Sequence, residues 1–227
     1  MSSTVISPYS ILVKAFRLYF TNPLKISSIY LLTVIPSLFF SFSLFNTFSN
    51  ISQDFSLPKI TILILLVLIL MYTECLAHIS IVYIYSHKKI SPLKAMLRNW
   101  KINMVYTAQI LLIIILTIVT APTLVLPFII SPLILLQAPI ALSQTGTSPI
   151  QNLKNTWNLV KTNKIFFYKS FAVLAILIFG WASLLDFVKD IFWLSTILGL
   201  VSSLTLVPIT ITFGYCLFKE LKNERHN

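Results

Sequence analysis

The chain has 227 residues, 57% of them hydrophobic and only 10% charged, with a mean hydropathy of +0.89. A soluble domain carries about 25% charged residues and could not bury this much apolar surface, so the composition excludes a water-soluble globule and makes lipid the main solvent. The net charge is +11, from 17 Lys and Arg against 6 Asp and Glu. These cations flank apolar segments, where they orient the chain and attract anionic head groups, so no nucleic-acid partner is expected.

The N-terminus is polar and runs into an amphipathic segment, without the short apolar core and small-residue cleavage site of a secretory signal. Its first recognisable element is Ser7-Pro8-Tyr9-Ser10-Ile11-Leu12-Val13-Lys14-Ala15-Phe16-Arg17. The same pattern returns as Ser91-Pro92-Leu93-Lys94-Ala95-Met96-Leu97-Arg98-Asn99-Trp100-Lys101 and as Ser148-Pro149-Ile150-Gln151-Asn152-Leu153-Lys154-Asn155-Thr156-Trp157-Asn158. Serine is a good N-cap, and proline is tolerated at the first helical position. One, four and eight residues after the proline the side chain is apolar in every copy: Tyr9, Leu12, Phe16; Leu93, Met96, Trp100; Ile150, Leu153, Trp157. Two, six and nine residues after it the side chain is polar: Ser10, Lys14, Arg17; Lys94, Arg98, Lys101; Gln151, Asn155, Asn158. The two sets fall on opposite faces of a helix with 3.6 residues per turn. Each copy therefore predicts a short amphipathic helix in the membrane interface, anchored by Phe16, Trp100 and Trp157. The two tryptophans could instead stack on a ligand. Asn22 and Asn163 share an offset from their prolines and mark the turn into the next span; Tyr106 stands at that offset in the second copy, so its turn must differ.

Six spans of about 20 residues follow from the apolar runs. They are placed at about Ile26–Phe45 (with Pro36 kinking it), Ile60–Ser86, Met104–Thr120, Thr123–Ser143, Ile165–Leu185 and Ile191–Phe218. The third and fourth form a tight hairpin around Ala121 and Pro122, and Pro127, Pro132 and Pro139 should break or bend the fourth; a re-entrant hairpin is the alternative. Lys14, Arg17 and Lys25 precede the first span, and Lys88, Lys89, Lys94, Arg98 and Lys101 lie between the second and third. Lys154, Lys161, Lys164 and Lys169 lie between or near the fourth and fifth, and Lys219, Lys222 and Arg225 follow the sixth, leaving only Lys59 and Lys189 opposite. The positive-inside rule then puts both termini and all three surface helices on the cytoplasmic side of the cell membrane. The expected fold is an all-α integral membrane protein of a single domain, residues 1–227. It has six transmembrane helices plus three interfacial amphipathic helices in a parallel threefold repeat, with units at about 7–86, 91–143 and 148–219.

The sharpest chemical candidate lies in the second span, where Glu74 and His78 are spaced to meet on one helix face, with Cys75 between them. A charge near mid-bilayer costs at least about 2.5 kcal/mol, so it should face protein or water. The pair could be a proton relay, an ion site or a substrate contact; it could equally be a mutually satisfied pair that glues the span to a neighbour, through Gln109. Glu74, Cys75 and His78 cannot all point one way from one helix, so no metal site and no cofactor are expected. Asp186 and Asp190 read as the solvated end of the fifth span, and Cys75 and Cys216 as small buried hydrophobes. The chain has no phosphate-binding glycine loop, no zinc-protease helix motif and no nucleophile elbow, so no enzyme class is indicated.

The run Leu136-Gln137-Ala138-Pro139-Ile140-Ala141-Leu142-Ser143, followed by Ser148 to Lys161 with its central Thr156-Trp157, resembles a broad group of prokaryotic multi-pass membrane proteins. That group includes the membrane domain fused to some glycerophosphodiester phosphodiesterases. Thr156 stands where serine is common. The resemblance implies a six-span helical membrane domain and carries no phosphodiesterase activity, because nothing here matches the soluble catalytic domain. Two functions follow. The first is a non-enzymatic membrane protein that organises lipid, with anionic head groups on the cytoplasmic side, or a membrane-protein partner or second copy. The alternative is a small transporter or permease component using Glu74 and His78.

Overall fold

The computed structural model describes residues 7–33, 36, 57–87, 89–123, 125–188 and 190–224. In chain order the helices are α1 (Pro8–Thr21), α2 (residues 23–33), α3 (Leu57–Ser86), α4 (Pro92–Arg98), α5 (Trp100–Thr120), α6 (Leu126–Ile130), α7 (Ile134–Ser143), α8 (Pro149–Thr162), α9 (Lys164–Phe187) and α10 (Phe192–Glu224). Two 3-10 turns, Ala121–Thr123 and Ser131–Leu133, precede α6 and α7. The described residues are helical throughout apart from turns and connections.

Five stretches are long and apolar enough to cross a membrane: Leu57–Ser86, Trp100–Thr123, Leu126–Ser143, Lys164–Phe187 and Ile197–Asn223. Their outward faces carry exposed Ile62, Leu65, Ile118, Ile176 and Phe179, as a lipid-facing bundle requires. These stretches correspond to the expected second to sixth spans. Most of the expected first span, including all of it after Pro36, lies outside the described residues; its helical start is α2.

The proline-rich fourth stretch is broken, as its composition predicts. The hairpin turn falls at Ala121–Thr123, and Pro127 and Pro132 each open a new helical piece where a missing N–H does no harm. Side chains from elsewhere complete the freed backbone: the Tyr168 hydroxyl on α9 donates to the Ile129 carbonyl at 3.0 Å.

Two prolines lie inside helices, and each shapes a contact. Pro208 in α10 cannot donate to the Leu204 carbonyl one turn earlier. That carbonyl instead accepts from the hydroxyls of Tyr19 on α1 at 3.0 Å and Ser27 on α2 at 3.3 Å. Pro139 in α7 likewise releases the Leu135 carbonyl. It abuts Gly214 of α10, where a Cβ would sit 2.2 Å from that oxygen. Only glycine allows this approach, and it seats α7 directly on α10.

The core lies along α7 and α10. Leu136, Ile140, Phe213 and Leu217 are buried there with Ile113 and Phe167, while Ile79, Ile81 and Tyr106 fill the side toward α3 and α5. The Ser-Pro helices pack on the bundle: α1 on α10 and α9, α4 on α3 and α5, and α8 on α7 and α5. Lys14 of α1 forms an ion pair with Glu220 of α10, whose side chain is only 11% exposed. That pairing reaches past Phe218, the expected end of the last span, because α10 continues as helix to Glu224.

Candidate functional site

Each Ser-Pro motif opens a helix with its serine in an extended N-cap conformation and its proline in the first turn. The Ser7 and Ser148 hydroxyl oxygens accept from the backbone N–H of Ser10 and Gln151, whereas Ser91 makes no such bond. Each helix also ends on asparagine. Asn22, Asn99 and Asn163 each donate their backbone N–H to a carbonyl three residues back and accept, at their own carbonyl, from the N–H four residues on. One residue thus closes the surface helix and starts the next. The sequence reading placed this turn at Asn22 and Asn163 and missed Asn99, which comes seven residues earlier in its copy.

The bundle buries one stripe of these helices, three, seven and eleven residues after the proline: Ile11, Ala15 and Tyr19; Ala95, Asn99 and Asn103; Asn152, Thr156 and Val160. Leu12, Met96 and Leu153 flank that stripe against the core. Most of the other expected apolar positions stay outside, Phe16 excepted, which packs against the core. Tyr9 is 65% exposed, and Leu93 and Ile150 are exposed as well. Of the expected anchors, Trp100 and Trp157 are 49% and 42% exposed, while Phe16 is half-buried and stacks on exposed Phe20 with ring centroids 6.3 Å apart. The expected single apolar face therefore splits into a core-facing stripe and an exposed flank.

Glu74 and His78 both lie on α3, half-buried. His78 Nδ1 shares a 3.0 Å hydrogen bond with the Tyr106 hydroxyl of α5. The seam has two more ties: the Asn103 amide donates to the Tyr72 carbonyl at 2.9 Å, and the Tyr72 hydroxyl donates to the Trp100 carbonyl at 3.2 Å. Gln109, the expected partner, is fully buried but neither of its amide atoms meets His78. Cys75 and Cys216 are buried free thiols. Asp186, in the last turn of α9, and Asp190 beyond it are exposed.

A second constellation was not foreseen. A cavity of about 490 Å³ opens between the ends of α3, α7 and α10 and the α4–α5 junction. Among the described residues its charged side chains are Arg98 and Lys219, accompanied by His87, and no carboxylate lines it. Aromatic rings hold these groups: Arg98 Cζ lies 6.0 Å from the Tyr83 ring centre, Lys219 Nζ lies 4.7 Å from that of Tyr215, and the His87 ring stacks on Tyr83 at 4.2 Å. Nδ1 of His87 donates to the Tyr83 carbonyl at 3.3 Å. Ser86, Ser143 and Thr145 add hydroxyls. Thr145 reaches the wall through the turn after α7, where Gly146 adopts a φ of 95°, a conformation that favours glycine. Asn99 also lines the cavity; its Oδ1 is buried behind the wall and accepts no hydrogen bond among the described residues. A neighbouring polar cavity of about 400 Å³ shares Ser143 and Phe218 and includes Asn155 and Lys222. The sequence shows Arg98 and Lys219 as topology-setting cations; that they converge depends on which helix ends meet.

The chain matches no family model, no curated protein and no solved structure.

Proposed function

We propose that the chain is a non-enzymatic multi-pass protein of the cytoplasmic membrane that organises lipid in one leaflet. In this reading it crosses the bilayer six times, α2 opening the first crossing. The three Ser-Pro helices lie on the cytoplasmic leaflet with both termini on that side. The observation that carries the reading is the exposed apolar flank of the Ser-Pro helices, Tyr9 and Phe20 on α1, Leu93 and Trp100 around α4, and Ile150 and Trp157 on α8. Those side chains have no place in water, and the adjoining Arg17, Lys94, Lys101 and Lys154 suit anionic head groups.

The packing order supports a threefold repeat. Helix α4 rests on α3 of the unit before it, α8 on α5 and α7 of the unit before it, and α1 on α9 and α10 of the third unit, so the succession closes on itself. Membership of the group that the 136–161 run resembles belongs to this proposal, without phosphodiesterase activity. A membrane partner or a second copy could use the same flank.

Depth-dependent quenching tests the reading. In a variant whose sole tryptophan is Trp157, brominated acyl chains in vesicles should quench its emission more strongly near the glycerol level than at mid-bilayer. Single cysteines placed at 16, 100 and 157 should all be labelled from the same side. Labelling from opposite sides would remove the reading.

A transporter reading has one observation in its favour, an ionisable pair within a spanning helix: Glu74, and His78 held by Tyr106. Glu74→Gln and His78→Ala, made singly, separate the two. Loss of proton-coupled flux with intact folding supports transport; loss of folding alone supports a structural seam.

A further inference from the structure

We propose that the cavity between α3, the α4–α5 junction, α7 and α10 binds one phosphate-bearing anion, a phosphate ester presented by a lipid or the free ion. The inference deepens the lipid-organising reading by assigning that function a specific site.

Three observations carry it. Arg98 and Lys219 come from elements far apart in sequence and face the same cavity, with no acidic side chain among the described residues of its lining. Among the described residues the ion pair found is Lys14–Glu220, so neither cavity cation is neutralised by a carboxylate there. Two cations at a site are repulsive unless an anion joins them, and guanidinium and ammonium groups are the usual phosphate donors. Their stems are not loose: Tyr83 and Tyr215 hold them by cation–π contacts, which fixes the donors in advance of the ligand.

The hydrogen-bonding capacity of the wall fits the same ligand class. With Nδ1 turned to the Tyr83 carbonyl, His87 keeps Nε2 for the ligand. Thr145 offers a further hydroxyl donor. A cation in this cavity would meet two like charges.

The size is suitable too. About 490 Å³ exceeds a bare phosphate and accommodates a phosphate with a small polar substituent. The cavity lies at the α4–α5 junction, its lining residue Asn99 next to Trp100 in the chain, at the depth of lipid phosphates if the Ser-Pro helices occupy the interface.

The experiment uses the full chain in neutral phosphatidylcholine nanodiscs. One arm adds phosphatidic acid to the disc; the other adds inorganic phosphate or glycerol phosphate to the buffer. Amine acylation of Lys219 is followed by peptide mass spectrometry, with Lys59, at the far end of α3, as reference. Phosphatidic acid should slow acylation of Lys219 several-fold relative to Lys59. Protection by the lipid alone identifies a head group; equal protection by soluble phosphate identifies a free ester or ion. Binding measured by native mass spectrometry should weaken at least about tenfold in Arg98→Gln and Lys219→Gln, the loss expected for one charge-assisted hydrogen bond. Lys59→Gln should bind as wild type. Unchanged Lys219 acylation in wild-type protein under both arms overturns the proposal, and this readout stands even if a variant fails to fold. If Trp157 is quenched at interfacial depth while Lys219 stays unprotected, the lipid-organising reading survives and the phosphate site does not.

Discussion

Helices α1 and α8 are each 14 residues long, whereas α4, begun by the same Ser-Pro signal, has seven. The difference traces to one side chain. Asn99 turns its backbone N–H to the Met96 carbonyl, and its Nδ2 then donates to the Ala95 carbonyl at 2.7 Å. The amide thus takes over the bond that a continuing helix would have made through its backbone. At the equivalent positions Ala15 and Thr156 have no such amide, and the helix runs on to Asn22 and Asn163. The early stop leaves Arg98, Asn99 and Ile102 on the wall of the basic cavity. A repeated signal therefore fixes where a helix begins, while an interior side chain fixes where it ends.

Three sets of substitutions test this contrast, from the largest expected effect downward. Ala95 is fully buried where α4 meets α3, and the matching Ile11 fills a larger site on α1. Ala95→Leu should destabilise the protein by about 3 kcal/mol through overpacking, read by denaturant titration in mixed micelles. Ile11→Leu should stay within about 1.5 kcal/mol. Next, Asn99→Ala orphans the buried Ala95 carbonyl and should cost about 2 kcal/mol in the same titration. Asn22→Ala and Asn163→Ala, at more exposed junctions, should each cost about 1 kcal/mol or less. Equal losses at all three would remove the special role of Asn99. Smallest are the caps: Ser7→Ala and Ser148→Ala should each lose about 1 kcal/mol, while Ser91→Ala, which has no cap bond to lose, should lie within about 0.5 kcal/mol of wild type.

Much of the framework was legible because its causes are local. Ser-Pro caps, apolar length and the Ala121-Pro122 turn place α1, α3, α5, α8, α9 and α10 within a few residues. The fourth span was foreseen as proline-broken, since each proline acts on its own turn. What remained hidden depends on partners far along the chain. Amphipathic spacing gives an apolar face but not its neighbour, so the burial of Asn152 and Thr156 could not be read from the copies. Gln137 explains part of it: its amide donates to the Thr156 hydroxyl at 3.0 Å across the α7–α8 contact. On α5 the sequence offered Gln109 as the neighbour to be reached, yet the His78 ring meets Tyr106, because the α3–α5 register sets that meeting. The basic cavity was equally invisible, since Arg98 and Lys219 are separated by more than half the chain.

The Leu204 carbonyl, freed by Pro208 and taken up by Tyr19 and Ser27, has a consequence for biogenesis. Translation delivers the chain from its N-terminus. The surface against which α1 docks is therefore synthesised long after α1 itself. Until Phe192–Glu224 has inserted, α1 lacks its final neighbours, and its docking joins two segments made far apart in time.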